Sequence, residues 1–237
     1  MRGFWDEKAQ ENPLWYIYSG LSYHDVDEAA FWRSGEVDVA AVLAEAGVER
    51  GAAAIDIGCG VGRLTRALAS RFDHVEGFDV SPKMIELARE HNAGRAAVTF
   101  TAIERAGKLP VDDASVDFVL TLQVLQHIPS RAVQLSYVRE AGRALKPGGT
   151  LAFQMRTCLR ADPVTGFAEQ QARSVLEAIR RKRNPPAAGI DSPAWSGARP
   201  GLWQVKASAR AAGLTITKTR WISRQGASMM LIARKSI

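Results

Sequence analysis

The sequence has little cysteine and little histidine. Its 237 residues include two cysteines, Cys59 and Cys158, and four histidines. Two isolated cysteines form neither a disulfide framework nor a zinc-binding spacing. No apolar run is long enough to cross a bilayer, and residues 1–12 are charged and lack the apolar centre of a signal peptide. We therefore expect a cytoplasmic protein without a metal site and without a membrane partner.

The positive charge is concentrated in one part of the chain. The net charge is +6, and residues 156–210 hold ten basic and four acidic residues, enough to account for the surplus. Such a segment can bind nucleic acid or an acidic substrate. A solvated helix face is the commoner explanation of a charge run, so both interpretations stay open. Hydrophobic residues make up 46% of the chain, enough for the core of one sizeable domain.

A glycine-rich stretch, residues 53–64, is the strongest local signal. An apolar run that ends at Ile57 is typical of a buried parallel strand, and Gly58, Gly60 and Gly62 follow it before a helical pattern begins. Glycine lets the backbone turn sharply and approach a ligand closely. A strand, a bare turn and a helix start form a nucleotide-sized cradle. The third glycine comes one residue too early for a dinucleotide fingerprint, since Arg63 stands in its place, and no P-loop is present.

A second strand and its acidic end support this interpretation. Residues 74–79 are predicted to form a strand that ends at Asp79, and Ser81 is predicted to cap the next helix with Pro82 at its first position. A carboxylate about twenty residues after the first glycine can accept both hydroxyl hydrogens of a ribose.

Taken in order, residues 50–155 resemble the class I S-adenosylmethionine (SAM)-dependent methyltransferases. The matching segments are the acidic-x-Gly-x-Gly-x-Gly motif at 56–62, Asp79, Leu109-Pro110, residues 115–119, residues 124–129 and the Lys-Pro-Gly-Gly turn at 146–149 before a fifth strand. The resemblance implies an α/β fold, a doubly wound, Rossmann-like, seven-stranded and mostly parallel sheet with helices on both faces. It divides a single domain into an N-terminal helical arm (1–48), a SAM-binding core (49–155), an acceptor-site cap inserted after strand 5 (156–200) and a closing helix and strands (201–237).

The cofactor that the resemblance implies is SAM. The residues expected to bind it are Asp56, Gly58, Cys59, Gly60, Asp79, Val80, Met84, Ile103, Glu104 and Gln123. Glu104 takes the place of the aspartate that usually accepts from the adenine amine in this family. Met84 is expected either to cover the adenine face or to fill the core.

The first 36 residues are rich in aromatic side chains, which are costly to leave in water. We expect them to fold back as a packing arm or as a lid over the ligand, with Trp15 and Tyr18 in the acceptor site. A helix is predicted to begin at Ser34 and to end at Gly47.

His127 is the candidate general base. It is the one histidine that follows the fourth strand, where the resemblance places the transferred methyl group, and histidine can take a hydroxyl proton near neutral pH. The matching histidine acts as a base in several small-molecule O-methyltransferases of this type and only packs in others. Arg156 completes the expected acceptor site.

The expected activity is therefore methyl transfer to a small molecule, most simply to a hydroxyl oxygen of a sugar, phenol or other metabolite. Enzymes that methylate nucleic-acid amines carry an Asp/Asn-Pro-Pro-aromatic motif after strand 4, where this chain has residues 121–124, and the Asn-Pro-Pro at 184–186 lacks the aromatic. One alternative is an RNA methyltransferase that uses the basic segment 156–210. The other is a SAM-binding protein without catalysis. The oligomeric state is left open.

Overall fold

The structure, a computed structural model, describes residues 1–158, 197–223 and 228–237. Its helices are α1 (Arg2–Glu11), α2 (Pro13–Ile17), α3 (Glu28–Ala46), α4 (Arg63–Leu68), α5 (Pro82–His91), α6 (Arg131–Ala144) and α7 (Leu202–Ala211), with a short 3-10 turn at Leu125–His127. Its strands are β1 (Gly51–Ile57), β2 (Phe72–Asp79), β3 (Val98–Ala102), β4 (Val116–Thr121), β5 (Leu145–Arg156), β6 (Leu214–Ser223) and β7 (Ser228–Lys235).

The strands form one seven-stranded sheet in the order β3-β2-β1-β4-β5-β7-β6. The first five run parallel to one another, whereas β7 is antiparallel to both β5 and β6. The predicted Rossmann-like, mostly parallel sheet is confirmed.

Both faces of the sheet are covered, which explains the continuous apolar run in β1. Ile55 and Ile57 pack in a core with residues of α6 and α7, and Ala54 packs in a second core with residues of α3, α4 and α5. A strand buried on both faces gains from apolar residues at every position. The chain reverses its direction of winding between β1 and β4, and ligands of open α/β sheets bind at the carboxyl ends of the strands at such a point.

The predicted start of α3 at Ser34 is wrong. The helix begins at Glu28, and the side chain of Asp27 accepts a hydrogen bond from the backbone N–H of Ala30. Ser34 lies inside the helix and donates its hydroxyl to the carbonyl of Phe31 at 2.6 Å. Asp27 and Ser34 are both residue types that cap helices, and Phe31, which lies between them, is fully buried, so tertiary packing favours the earlier start. The helix ends at Gly47 with φ +65°, as predicted.

Other boundaries agree more closely. Ser81 caps α5 by accepting from the backbone N–H of Met84, with Pro82 at the first helical position. The predicted turn at 146–149 instead belongs to β5, which begins at Leu145. The helix expected at 167–183, the prolines at 185–186 and most of the 156–200 segment lie outside the described residues. Within the described part of the chain, no helix is long and apolar enough to span a membrane.

Candidate active site

The glycine loop between β1 and α4 requires glycine for two reasons. Gly58, Gly60 and Gly62 have φ angles of +79°, +53° and +89°, which residues with a Cβ rarely adopt. The space beside the loop is also occupied, since a Cβ on Gly60 would lie 2.6 Å from Cδ1 of Ile17. The bare backbone of the loop therefore lies directly under the N-terminal arm.

The amides of this loop point into the protein. The N–H groups of Gly58 and Cys59 both donate to the carbonyl of Phe78, at 2.6 and 3.0 Å, and the N–H of Gly60 donates to Oδ2 of Asp79 at 3.0 Å. Phosphate-binding loops instead turn such amides towards the ligand. The loop is thus unsuited to hold a phosphate by these three groups.

Asp79 ends β2 beside the loop. It is buried, and its carboxylate accepts from two backbone N–H groups, Gly60 at Oδ2 and Ser81 at Oδ1, at 3.0 and 2.9 Å. Burial raises the pKa of Asp79 above its ordinary value, against the opposing effect of these hydrogen bonds. Each carboxylate oxygen has a second lone pair. The side chain can therefore still accept two hydroxyl hydrogens from a ligand.

A cavity of about 290 Å³ opens at the carboxyl ends of β1, β2 and β4. This is near the lower end of the range for small-molecule sites. Eight of the expected cofactor residues line it, namely Gly58, Cys59, Gly60, Asp79, Val80, Met84, Ile103 and Gln123. Other lining residues, which were not among the expected site residues, include Met1, Trp5, Tyr16, Ile17, Ser19, Arg63 and Tyr137.

Asp56 does not line the cavity, in contrast to its expected cofactor contact. Its side chain is 1% exposed, and Oδ2 accepts from the hydroxyl of Thr65 at 2.7 Å. Oδ1 is buried without a hydrogen-bond partner among the described residues. Burial raises the pKa of Asp56 to about 6, although the Thr65 hydrogen bond and the charge of Arg63 oppose the shift.

The two residues expected beside the adenine differ in their placement. Ile103 is buried and lines the cavity, whereas Glu104 is exposed and does not. Met84 lines the cavity and also packs with Phe31 and Val61. The geometry of Met84 is therefore compatible with both expectations.

The arm lines the cavity with different aromatic residues from those expected. Trp15 packs edge-on against Tyr16 and Tyr23, with ring centroids 5.0 and 5.1 Å apart, and Tyr18 lies 5.0 Å from the guanidinium carbon of Arg63. Neither Trp15 nor Tyr18 is among the cavity-lining residues, so their expected place in an acceptor site at this cavity is not reproduced.

Polar contacts tie α1 to the rim of the cavity. Arg2 donates from Nε to the carbonyl of Val80 at 3.0 Å and from Nη2 to the carbonyl of Ile103 at 2.8 Å. Asp6 accepts from the hydroxyl of Ser81 at 2.6 Å. The arm is thus attached to the ends of β2 and β3, next to Asp79.

His127 lies in the 3-10 turn after β4 and lines the cavity, as does Arg156 at the end of β5. The ring of Trp5 packs edge-on against the imidazole at a centroid distance of 5.6 Å. The nearby Gln123 has φ +63°, an uncommon conformation for a residue other than glycine, of the kind that clusters at functional sites. The other three histidines, 24, 74 and 91, do not line this cavity.

Comparison with known proteins agrees with this geometry. Residues 55–153 match the methyltransferase domain family. The chain is 30% identical over 165 residues to a demethylmenaquinone methyltransferase of Staphylococcus aureus, a match that covers 68% of this chain and 65% of that protein. The match thus spans slightly less than two thirds of the relative's length.

Two solved structures have the same fold. A magnesium protoporphyrin IX methyltransferase from Synechocystis, solved with bound S-adenosylhomocysteine (SAH), superposes with a TM-score of 0.64 at 20% identity over 99% of this chain and 98% of that one. A methyltransferase in complex with the Trm112 activator of Haloferax volcanii gives 0.64 at 18% identity over 98% of both chains. Sheet order, glycine loop and domain match agree, and together they support a class I SAM-dependent methyltransferase.

Proposed function

We propose that this protein transfers the methyl group of SAM to a small-molecule acceptor. The observation that supports this most is the presence of three elements in one cavity: a bare glycine loop, a buried carboxylate at the end of β2, and a histidine after β4. An adenosyl ligand needs the first two, and a hydroxyl acceptor needs the third.

The residues present fit SAM. Asp79 would accept from the ribose hydroxyls, and the apolar side chains of Ile103 and Met84 would flank the adenine. The amino-acid tail would lie in the part of the cavity that Gly58 and Gly60 line. When bound, SAM supplies an electrophilic methyl group on a sulfonium.

His127 would act on the acceptor. Its imidazole would take the proton of an acceptor hydroxyl, so that an oxygen lone pair can attack the methyl carbon in line as the bond to sulfur breaks. Such general-base assistance contributes about 10²–10⁴-fold. Trp5 and Tyr16 line the same space, so the arm would act as a lid that excludes water and positions the acceptor. Arg156 would face the acceptor from β5.

A second candidate is methylation at carbon of a hydroxylated aromatic ring. The relative named demethylmenaquinone methyltransferase favours it. Removal of a ring hydroxyl proton by His127 would also raise the electron density on the ring carbons. The carbon that receives the methyl group would then lose its own hydrogen as a proton, which restores the aromatic ring and the hydroxyl. The RNA alternative depends on residues 156–210, most of which lie outside the described part, and it stays a prediction.

Labelled SAM and metabolite pools, followed by mass spectrometry and NMR of the product, would identify the acceptor and distinguish an O-methyl from a C-methyl product. His127→Ala should lower turnover by about 10²-fold or more while the affinity for SAH stays within about threefold. His74→Ala, an exposed change on β2, is the control and should leave both unchanged.

Equal turnover of His127→Ala and the wild type would remove His127 as the base. SAH binding without product from any acceptor would instead indicate a non-catalytic SAM-binding protein. A steep loss of binding to RNA with rising salt would favour the RNA alternative.

A further inference from the structure

Arg63 is a buried cation at the cavity. It is the first residue of α4, directly after Gly62, and only 3% of it is exposed. It is one of the residues that line the cavity beside the glycine loop. Burial of a guanidinium is rare without a partner for each of its edges.

Among the described residues, hydrogen-bond partners are found on only one edge of this guanidinium. Nη1 donates to Oδ2 of Asp38 at 2.7 Å and to the hydroxyl of Ser34 at 2.9 Å. Nε is buried and has no hydrogen-bond partner in the described part of the chain. A buried donor without a partner costs free energy, and the Nε–Nη2 edge is the one that grips a carboxylate side-on.

The surroundings hold the side chain in place. The ring of Tyr18 lies 5.0 Å from the guanidinium carbon, within the range of a cation–π contact. Helix α3 packs closely against Arg63 at Gly35. A Cβ at this position would lie 2.6 Å from the carbonyl oxygen of Arg63 and 2.9 Å from its Cγ. The position of Arg63 is therefore fixed by three elements, the arm, α3 and α4.

The glycine loop leaves an anion with few other donors. The N–H groups of Gly58, Cys59 and Gly60 are already donated within the protein. A carboxylate that lies over this loop would thus need a cation, and Arg63 is adjacent. We propose that Arg63 binds the α-carboxylate of the methionine tail of SAM through its Nε edge. This rests on SAM being the cofactor.

The test compares SAH with decarboxylated SAH by titration calorimetry, in the wild type and in Arg63→Gln. The wild type should bind SAH about 10- to 100-fold more tightly, the value of a hydrogen-bonded charge pair. Arg63→Gln should lose most of this preference, with little change for the decarboxylated ligand. Arg66→Gln is the control on the same helix, because Arg66 packs on the ring of Trp32 and does not line the cavity.

A role of Arg63 in structure alone would weaken both ligands equally, and that result would overturn the proposal. Arg63→Lys keeps the charge and should retain part of the preference. If Arg63→Gln does not fold, a crystal of the wild type with SAH decides: a carboxylate oxygen within about 3.2 Å of Nε is expected, and a carboxylate bound elsewhere overturns the proposal. Failure of the wild type to bind either ligand would instead refute the proposed function.

Discussion

Asp79→Asn should weaken the binding of SAH strongly and change the free energy of unfolding much less. The substitution preserves the size of the side chain and removes its charge. In the structure both carboxylate oxygens accept a backbone N–H, from Gly60 and from Ser81. The amide nitrogen of an asparagine must therefore face one of these donors. A ligand ribose would lose its two charge-assisted hydrogen bonds at the same time.

The magnitudes can be worked from these contacts. A hydrogen bond to a charged group contributes about 1.5–3 kcal/mol, so the loss of two predicts at least about 100-fold weaker binding of SAH. The unfolding free energy should change less, because two effects oppose each other. Burial raises the pKa of Asp79, so removing the charge relieves a desolvation cost, whereas the clash of two donors adds one of about 1–3 kcal/mol.

Titration calorimetry with SAH and urea denaturation measure the two quantities. Asp73→Asn, an exposed change on the same strand, is the control and should alter neither. If Asp79→Asn bound SAH within about threefold of the wild type, the ribose assignment and the register of the whole site would be wrong.

Two more perturbations test the site from other sides. Burial raises the pKa of Asp56 from 3.8 to about 6, so the folded wild type loses stability as the pH rises through that window. The stability of Asp56→Asn relative to the wild type should therefore increase by about 2 kcal/mol between pH 4 and pH 7 in urea denaturation. A stability difference independent of pH would contradict the burial argument. Arg2→Gln removes the hydrogen bonds of α1 to the carbonyls of Val80 and Ile103 and should speed SAH dissociation by about tenfold in stopped-flow experiments. The control Arg33→Gln, which changes an exposed ion pair with Asp27, should leave the dissociation rate unchanged. Equal dissociation rates in the wild type and both variants would argue against a lid.

The sheet could be predicted because its strands have local signals. The strand ending at Ile57 is a short apolar run that stops at glycine, and β2 ends at the predicted Asp79. Parallel strands that are buried on both faces are nearly continuous apolar runs, so such a strand can be recognised in a single sequence. The beginning of α3 is ambiguous from the sequence, because Asp27 and Ser34 are both residue types that cap helices. The burial of Phe31 against Val61 and Met84, which are distant in sequence, favours the earlier start.

The aromatic residues of the N-terminal arm that line the cavity could not be predicted from the sequence either. The arm's aromatic residues have no clear helical periodicity, so nothing local indicates that Trp5 and Tyr16 line the cavity while Trp15 packs away from it. The docking of α1 determines which aromatic residues of the arm line the cavity. Arg2 of this helix donates to the backbone carbonyls of Val80 and Ile103, which come together only when the sheet forms. The sequence does not predict the role proposed for Arg63 either, because the lack of a partner for its Nε among the described residues depends on its three-dimensional surroundings.

Residues 79–81 connect all parts of the candidate site. Asp79 holds the glycine loop through the N–H of Gly60, and the same carboxylate is the candidate ribose acceptor. Ser81 caps α5 and donates its hydroxyl to Asp6 of the arm. A ligand that hydrogen-bonds to Asp79 therefore binds to the same short segment, residues 79–81, that holds the glycine loop and the arm in place. Because both oxygens of Asp79 are held by backbone N–H groups before any ligand binds, the carboxylate is preorganised, and little conformational entropy remains to be lost when the ribose arrives.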